Sequence, residues 1–376
     1  MIPLTLYIHF PWCVRKCPYC DFNSHVSKAT LPEEAYIKAL MTDFQQDSHY
    51  RQHRNIEHIF MGGGTPSLFS GSAIGTLLST LTQVNNTAEI TLEANPGTVE
   101  QKRFNDFRHA GINRLSLGVQ SFDAKQLKIL GRIHSSHEAV TAIQSAKKAG
   151  FTNFNIDLMF GLPHQSIENA LADLKAAVAL DPTHISWYQL TLEPNTPFYY
   201  RPPPLPNDDL IWEIQQAGQT YLAEQGYQQY EISAYSQPGY QCQHNVNYWQ
   251  FGDYLGIGAG AHAKITCPET HLVTRLTKLK SPNTYLKANP NFIAEQQTVK
   301  EHLAFEFMLN TLRLYQPFSK TLFEQRTGLS ISTIAPQLKQ AHKLNLLQPQ
   351  HNNYQTTELG KRYLNDLLQI FLPSPT

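Results

Sequence analysis

Short runs rich in β-branched and aromatic residues alternate with longer stretches of helical periodicity between residue 4 and about residue 235. This alternation limits the possible folds more than any other feature, because it is typical of βα units around a parallel sheet. The units predict an α/β fold, a partial or full (β/α) barrel, whose functional groups follow the carboxyl ends of the strands. Strands are predicted at residues 4–9, 56–61, 89–94, 113–119, 155–160 and 184–190, and helices at 32–49, 71–83, 98–109, 136–149 and 166–179.

The rest of the chain has a different character. Residues 201–209, RPPPLPNDD, are too rich in proline for a helix or a central strand and predict an extended connector. We predict three regions: a barrel core at 1–235, an irregular connecting segment at 236–290, and a smaller, mostly helical domain at 291–376 with a winged-helix-like topology. The helices of that last region are predicted at residues 301–312, 320–327, 332–344 and 357–371, with a hairpin near 348–355.

Charge and hydropathy exclude several functional classes. Among 376 residues, 30 Lys and Arg balance 30 Asp and Glu, so nucleic-acid binding through a basic surface is not expected. The chain is 41% apolar and 16% charged, which is typical of a compact globule, and no apolar run reaches the roughly 20 residues of a transmembrane helix. The first ten residues, MIPLTLYIHF, lack the positive region and cleavage site of a secretory leader. We therefore expect a cytoplasmic protein without a transmembrane segment.

Three of the five cysteines, Cys13, Cys17 and Cys20, lie close together directly after the first predicted strand. Clustered thiols in a cytoplasmic chain usually bind metal or perform redox chemistry. A tetrahedral zinc site would need a fourth ligand, and neither His25 nor the other two cysteines supplies it at the usual spacing. An iron–sulfur cluster of four irons held by three thiolates would leave one iron open. A degraded zinc loop, or buried thiols without a metal, stays as the alternative.

The longer motif around these cysteines narrows the interpretation. Residues 7–20, YIHFPWCVRKCPYC, resemble the radical S-adenosylmethionine (SAM) superfamily. Within it they are similar to the oxygen-independent coproporphyrinogen III oxidase family and its sister group, the HemW haem chaperones, and the resemblance covers essentially the whole chain. It implies a barrel of the radical SAM type, a 4Fe-4S cluster on Cys13, Cys17 and Cys20, and SAM bound at the open iron.

The resemblance also implies a set of SAM-binding residues, most of which lie in or just after the predicted strands. Some of these residues have plainer explanations when taken alone, since the glycines of GGGTP suit an ordinary βα turn and most arginines are solvated. Asp157 is harder to explain otherwise, because an unpaired carboxylate inside the apolar run NFNIDLMFG would be costly. The implied set is Tyr7, Gly63, Gly64, Thr65, Glu93, Gln120, Arg132, Asp157 and Thr191.

Three features favour the chaperone group over the oxidases. In the oxidases the third cluster cysteine is followed two positions later by another cysteine, whereas here Cys20 is followed by Asp21 and Phe22. The oxidases also carry a long extension before the first strand, which we do not expect here. Finally, residues 244–249, HNVNYW, match the H-N-x-x-Y-W element of the chaperone group. This element implies His244 as a candidate axial haem ligand, although any of the 16 histidines can instead make structural hydrogen bonds.

The resemblance therefore implies a haem chaperone without coproporphyrinogen III oxidase activity. Such a protein would bind haem and deliver it to haem-dependent acceptors such as respiratory enzymes. Its cluster would also need an electron donor. The alternatives are the oxidase itself, another radical SAM enzyme, or a structural zinc protein, and the sequence leaves the oligomeric state open.

Overall fold

The computed structural model describes residues 2–27, 30–98, 101–288, 290–299 and 301–373. A sheet of twelve strands organises most of them, together with two smaller sheets. The strands are β1 (Leu4–Phe10), β2 (Trp12–Cys13), β3 (His25–Val26), β4 (Ile56–Gly63), β5 (Val84–Ala94), β6 (Arg114–Gln120), β7 (Phe154–Phe160), β8 (His184–Gln189), β9 (Gln228–Glu231), β10 (Ala234–Ser236), β11 (Asp253–Ile257), β12 (His262–Thr266), β13 (Val273–Lys278), β14 (Ile293–Val299), β15 (Phe318–Ser319), β16 (Leu347–Gln350) and β17 (Asn353–Thr356).

Most helices of the first region lie between these strands and begin at polar caps. The side chains of Ser70, Asp123, Ser135 and Ser166 accept hydrogen bonds from the first turns that follow them. None of the described helices is long and apolar enough to cross a membrane. The helices are α1 (Glu33–Gln46), α2 (Gly71–Thr80), α3 (Gln101–Ala110), α4 (Ala124–Ile129), α5 (Ser136–Lys148), α6 (Ile167–Val178), α7 (Pro197–Tyr200), α8 (Asp208–Glu224), α9 (Gln243–Trp249), α10 (Pro282–Lys287), α11 (Leu303–Thr311), α12 (Lys320–Thr327), α13 (Ala335–Lys343), α14 (Glu358–Arg362) and α15 (Leu364–Gln369).

The main sheet has the order β14-β13-β12-β11-β1-β4-β5-β6-β7-β8-β10-β9. The strands from β11 to β8 in this order are parallel, and the outer strands are antiparallel. The six strands predicted from the alternation are confirmed as β1, β4, β5, β6, β7 and β8. Within the described residues β14 and β9 do not pair with each other, so the barrel is open. The predicted α/β barrel is therefore confirmed in its partial form.

The segment 236–290 has regular structure, so the prediction that it is irregular is wrong. It contains α9, β11, β12, β13 and α10, and β11 pairs with β1 in parallel. Its strands were missed because charged residues occupy buried positions where an apolar alternation would otherwise show. Asp253, for example, is buried because Arg54 and Lys264 pair with it. The boundaries of the three predicted regions themselves stay a prediction.

The carboxyl-terminal region has a hydrophobic core of its own, which includes Phe307, Phe323 and Leu338. Helices α11, α12 and α13 precede the hairpin β16–β17, and β15 pairs with β17 to complete a three-stranded sheet. This arrangement agrees with the predicted winged-helix-like topology. The single helix predicted at 357–371 is instead two short helices, α14 and α15. They are separated because Tyr363 leaves the helical conformation, with φ −109° and ψ 47°.

Candidate functional site

A cavity of about 550 Å³ opens at the carboxyl ends of the parallel strands. The loop after β2 and residues at the ends of β4, β5, β6, β7 and β8 form its wall. They meet because parallel strands of a barrel end on the same side. The predicted cluster and SAM residues that line the cavity are Cys13, Cys17, Cys20, Gly63, Gly64, Thr65, Glu93, Gln120, Arg132, Asp157 and Thr191. Tyr7 does not belong to this lining.

The cysteine loop is held at its base and receives hydrogen bonds from across the cavity. Strand β2 pairs with β3, and Cys13 lies opposite Val26. The Thr65 hydroxyl donates to the Cys13 Sγ at 3.6 Å, and the Arg132 Nη1 donates to the Cys17 Sγ at 3.6 Å. Hydrogen bonds to sulfur from an arginine and a hydroxyl favour the thiolate form that a metal centre requires.

The spacing of the donor groups bears on which kind of metal centre they can bind. Within the described residues no three His, Cys, Asp or Glu side chains converge closely enough to hold one metal ion. A zinc ion needs such convergence, because each Zn–S distance is about 2.3 Å, whereas a 4Fe-4S cluster distributes its thiolates over separate irons. Burial raises the pKa of Cys13 and Cys20, so a bound metal would be needed to deprotonate them at neutral pH. The three thiols line one cavity, where each can bind a different iron of a cluster.

The turn after β4 packs so closely that only glycine fits at two positions. Gly63 has φ +108°, and a Cβ atom there would lie 2.3 Å from the His9 ring. A Cβ atom on Gly64 would lie 2.5 Å from the Trp12 carbonyl oxygen. The Gly63 N–H donates to the Glu93 carboxylate at 3.2 Å. Without side chains here, a ligand in the cavity can approach the backbone directly.

Two partly buried carboxyl groups contribute to the cavity wall. Burial, and then the negative charge of Asp157, raise the pKa of Glu93 to about 8. Burial also raises the pKa of Asp157, and hydrogen bonds from Asn155, Ser186 and Ser116 oppose this rise. Because a buried negative charge is costly without a counter-charge, these two groups favour a cationic ligand. The ammonium and sulfonium groups of SAM match this requirement.

Arg132 and Gln120 add polar groups that are held in place by the protein. Arg132 is partly buried and donates to the Gly118 carbonyl, and its buried Nε has no hydrogen-bond partner in the described part of the chain. Gln120 has φ +73°, where β6 shifts register against β7, and its Oε1 accepts from the Tyr188 hydroxyl at 2.7 Å. Backbone strain of this kind concentrates at ligand sites, and a buried orphaned donor fits a ligand carboxylate or ribose oxygen.

The sequence reasoning missed several residues of the cavity wall. Ser116 lies on β6, and Ser186 and Tyr188 lie on β8. The available signal was the alternation of side chains along a strand, since Ser116 lies an even number of residues before Gln120 and therefore on the same face. Thr191 lines the cavity as predicted, but its hydroxyl donates to Glu193 at 2.9 Å.

Comparisons with known proteins agree with this geometry. The Radical SAM superfamily pattern matches residues 7–177, and the HemN C-terminal domain pattern matches residues 299–363. The chain is 50% identical to the heme chaperone HemW of Haemophilus influenzae and 50% identical to that of Escherichia coli, over 98% of this chain and 98% of each relative. The chain belongs to the HemW heme chaperone family.

A more distant relative and a solved structure extend this result. The mitochondrial radical S-adenosyl methionine domain-containing protein 1 of Bos taurus is 31% identical, over 98% of this chain and 87% of that protein. The structure of coproporphyrinogen III oxidase (HemN) from Escherichia coli, a radical SAM enzyme, is similar with a TM-score of 0.82. The match covers 98% of this chain and 90% of the HemN chain, and the two sequences are 23% identical. At that identity the likeness establishes the radical SAM fold alone.

In this member of the HemW family, Tyr7 lies below the cavity instead of in its wall. It is in the middle of β1, three residues before the strand ends, so the predicted contact with the cavity is not found among the described residues. Its hydroxyl donates to the His9 Nδ1 at 3.0 Å, and the His9 Nε2 donates to the Asn23 carbonyl at 2.9 Å. Tyr7 is therefore connected through His9 to Asn23, just after the cysteine motif.

The HNxxYW element of this HemW-family chain forms α9, which lies near the amino-terminal ends of the strands. His244 is only 8% exposed, and its ring lies 5.2 Å from Phe60 and 6.4 Å from Tyr7. Burial, together with the nearby His58, lowers the pKa of His244 to about 3, so the imidazole is neutral. A haem iron could reach this ring only if the surrounding rings moved. Burial therefore favours packing over the predicted haem ligation, and a haem titration decides between them.

Other residues of the element join the barrel to the carboxyl-terminal region. The Asn247 amide donates to the Asp253 carbonyl at 3.0 Å, beside β1. The Trp249 ring lies 4.5 Å from the Arg313 guanidinium, and its carbonyl accepts from the Thr311 hydroxyl at 3.2 Å. These contacts give the element a structural role in the described conformation.

Proposed function

We propose that this chain is a cytoplasmic haem chaperone that binds haem and passes it to haem-dependent proteins, respiratory enzymes among them. The observation that carries the proposal is the 50% identity, over 98% of both chains, to proteins named heme chaperone HemW. The cavity supports it, because its cysteines and buried carboxyl groups suit the cofactors of a radical SAM protein. This function requires two further partners, a haem acceptor and an electron donor.

Cys13, Cys17 and Cys20 are the proposed ligands of a 4Fe-4S cluster. When bound, such a cluster supplies an open iron for the amino and carboxylate groups of SAM and an electron for its cleavage. The protein keeps the three thiols partly exposed on one wall of the cavity. Thr65 and Arg132 contribute hydrogen bonds that favour the thiolates at Cys13 and Cys17.

The residues around the cluster site are proposed to bind and orient SAM. Glu93 and Asp157 attract its cationic groups, because both carboxyl groups are partly buried in the cavity wall without an ion-pair partner in the described residues. The Arg132 Nε is available to donate a hydrogen bond. Gly63 and Gly64 let SAM approach the backbone, since neither position accepts a side chain. Together these groups line one cavity and can hold SAM beside the cysteine loop.

Coproporphyrinogen III oxidation is the competing function. The similarity to HemN supports it only at the level of the fold, because the identity is 23%. The residue two positions after Cys20 is Phe22, which is 59% exposed and lines the cavity, so the second thiol of the oxidase pattern is missing there. This difference lies in the site itself and favours the chaperone function.

One preparation can test both functions. The full chain would be reconstituted with iron and sulfide without oxygen, titrated with haem, and then mixed with an apo-cytochrome as acceptor. A chaperone gives a saturable Soret band, transfers the haem, and does not convert coproporphyrinogen III when SAM and a reductant are present. Conversion to protoporphyrinogen IX at catalytic rates without haem binding would replace our proposal with the oxidase. Zinc in place of iron in oxygen-free preparations would contradict the cluster.

A further inference from the structure

A line of hydrogen bonds connects Asp157 in the cavity wall to the start of α9. The Asn155 Nδ2 lies 2.7 Å from the Asp157 Oδ1, and the Asn155 Oδ1 lies 2.7 Å from the His184 Nδ1. The His184 Nε2 lies 2.8 Å from the Tyr230 hydroxyl, which also accepts the Cys242 backbone N–H at 3.3 Å. The inner members are buried, since Asn155, His184 and Tyr230 are each at most 3% exposed. None of these three residues lines the cavity, and only Asn155 contacts one of the described residues that do.

The Asp157 end of this line fixes its direction. An ionised Asp157 carboxylate can only accept, so the Asn155 Nδ2 donates to it and the Asn155 Oδ1 accepts from the His184 Nδ1. Burial lowers the pKa of His184 well below its ordinary value, so the ring is neutral and its one N–H is on Nδ1. The His184 Nε2 is therefore an acceptor, and the Tyr230 hydroxyl donates to it while accepting the Cys242 backbone N–H. Every donor thus points towards the carboxylate, and such chains strengthen by mutual polarisation.

Two serines fix the plane of the Asn155 amide. Its Nδ2 also donates to the Ser116 hydroxyl at 2.8 Å, and its Oδ1 accepts from the Ser186 hydroxyl at 3.1 Å. The Ser116 hydroxyl in turn donates to the second oxygen of Asp157 at 3.2 Å. The amide therefore has one available orientation, and the carboxylate is held at both oxygens.

We propose that Asn155 is a positioning residue for Asp157, and that Tyr230 and His184 set the direction of its amide. SAM affinity would then depend on three residues that do not line the SAM cavity. This inference rests on the proposed function, because it assumes that Asp157 binds SAM. It also connects the start of α9, which carries the HNxxYW element, to the opposite end of the barrel.

The test is the affinity for SAM of the full chain, reconstituted with its cluster without oxygen and measured between pH 6 and pH 9. We expect Asn155→Leu to weaken SAM binding about tenfold or more, the loss typical when a buried carboxylate loses a charge-assisted hydrogen bond. The pH at which binding reaches half its maximum should move upwards, because the carboxylate of Asp157 becomes harder to ionise. Tyr230→Phe should act in the same direction, by about threefold, since it removes a neutral donor further away.

Matched variants separate positioning from packing. Tyr227→Phe also removes a buried hydroxyl, which donates to the Pro182 carbonyl at 2.6 Å outside this line, and should leave SAM affinity unchanged. His184→Asn keeps an amide N–H near the position of Nδ1 and should bind SAM better than His184→Leu. Far-UV circular dichroism and iron content identify any variant that fails to fold. If Asn155→Leu does not fold, Tyr230→Phe still tests the inference.

Two results would overturn the inference, and they differ from each other. If Tyr230→Phe and His184→Leu bind SAM with the wild-type affinity and pH profile, the hydrogen-bond line is structural only. If the wild-type chain itself binds no SAM, the proposed function fails and this inference fails with it.

Discussion

The two ends of the barrel both contain acidic side chains withdrawn from solvent, but these side chains have different partners. At the carboxyl-terminal end, Glu93 and Asp157 have no ion-pair partner in the described residues, and burial raises the pKa of both. At the amino-terminal end, the buried Asp253 is paired with Arg54 and Lys264. Buried charges that are left unpaired identify the place where a ligand must supply the missing partner, whereas paired charges belong to the framework.

The same distinction applies to the two sequence motifs. The cysteine motif lies on a partly exposed loop at the carboxyl-terminal end of the barrel, while the HNxxYW element forms a helix near the other end, whose His244 and Asn247 are buried. Both motifs resemble those of one family, so resemblance alone gave each a ligand-binding role. Burial now separates them, and the following experiments test that separation.

The largest effect is expected at the cysteine loop. Replacing Cys13, Cys17 or Cys20 by alanine should abolish the iron–sulfur absorbance of the reconstituted chain, because three thiolates are the fewest that hold a four-iron cluster here. Iron analysis and visible spectroscopy measure this loss. Cys267→Ala is the matched control, since this cysteine lies between β12 and β13 and does not line the cavity. Normal iron content in any of the three variants would contradict the ligand set.

At the amino-terminal end, Asp253→Asn should lower the free energy of unfolding by about 3–5 kcal/mol, because it leaves buried Arg54 and Lys264 without their counter-charge. Although burial alone would raise the pKa of Asp253, Lys264 and Arg54 hold it below its usual value. Its stabilisation is therefore complete at neutral pH and is lost as the pH falls through that lowered pKa. Denaturant titration of the chain at pH 7 measures the effect.

Glu306→Gln is the control for this measurement. Glu306 pairs with Arg275 at a partly exposed position, where a salt bridge contributes about 1 kcal/mol or less. If Asp253→Asn and Glu306→Gln lose the same free energy of unfolding, burial does not make the Asp253 ion pairs more important for stability than the partly exposed Glu306 pair.

Glu93 should make SAM binding depend on pH. Its pKa of about 8, raised by burial and by Asp157, means that it is mostly protonated at pH 7. SAM is cationic and favours the carboxylate, so SAM affinity should rise between pH 7 and pH 9, and binding below pH 8 should release a proton. In the absence of SAM, the stability of the folded chain should change with pH in the opposite direction to SAM affinity. The free energy of unfolding should fall as the pH rises from the ordinary value of 4.5 towards 8, because the folded chain retains a proton that the unfolded chain has lost.

Calorimetry of SAM binding in two buffers with different ionisation enthalpies measures the released proton. Glu93→Gln should bind SAM more weakly and without this pH dependence. Glu224→Gln, at the exposed end of α8, should behave as wild type. If Glu93→Gln still releases a proton on binding SAM, that proton comes from another group.

The residues that line the cavity could largely be predicted from the sequence for a physical reason. Gly63, Glu93 and Asp157 belong to the strands β4, β5 and β7, where their glycine or carboxyl character contrasts with apolar neighbours. A charge or glycine at such a position needs an explanation, and a shared cavity supplies it.

The amino-terminal end could not be predicted because its pattern depends on partners distant in the chain. The buried Asp253 pairs with Lys264 and also with Arg54, about 200 positions earlier, which donates to it at 2.7 Å. His184 is neutral because it is buried, and its hydrogen-bond partners Asn155 and Tyr230 lie on other strands. A histidine or aspartate in a short polar strand gives no periodic signal of burial, so β11–β13 and the packing of α9 became visible only in the structure.

The smallest effect is expected for His244→Phe. The His244 Nδ1 is buried and has no hydrogen-bond partner in the described residues, so an apolar ring of similar shape should change the free energy of unfolding by about 1 kcal/mol or less. Because the ring is enclosed by Phe60 and Tyr7, the Soret band of the haem-titrated variant should equal that of the wild type. His137→Phe, on the exposed face of α5, is the matched control. A shifted or missing Soret band in a folded, iron-loaded His244→Phe would show that haem reaches this imidazole. In that case α9 must move away from the barrel when haem binds, and the amino-terminal end would be a second ligand site.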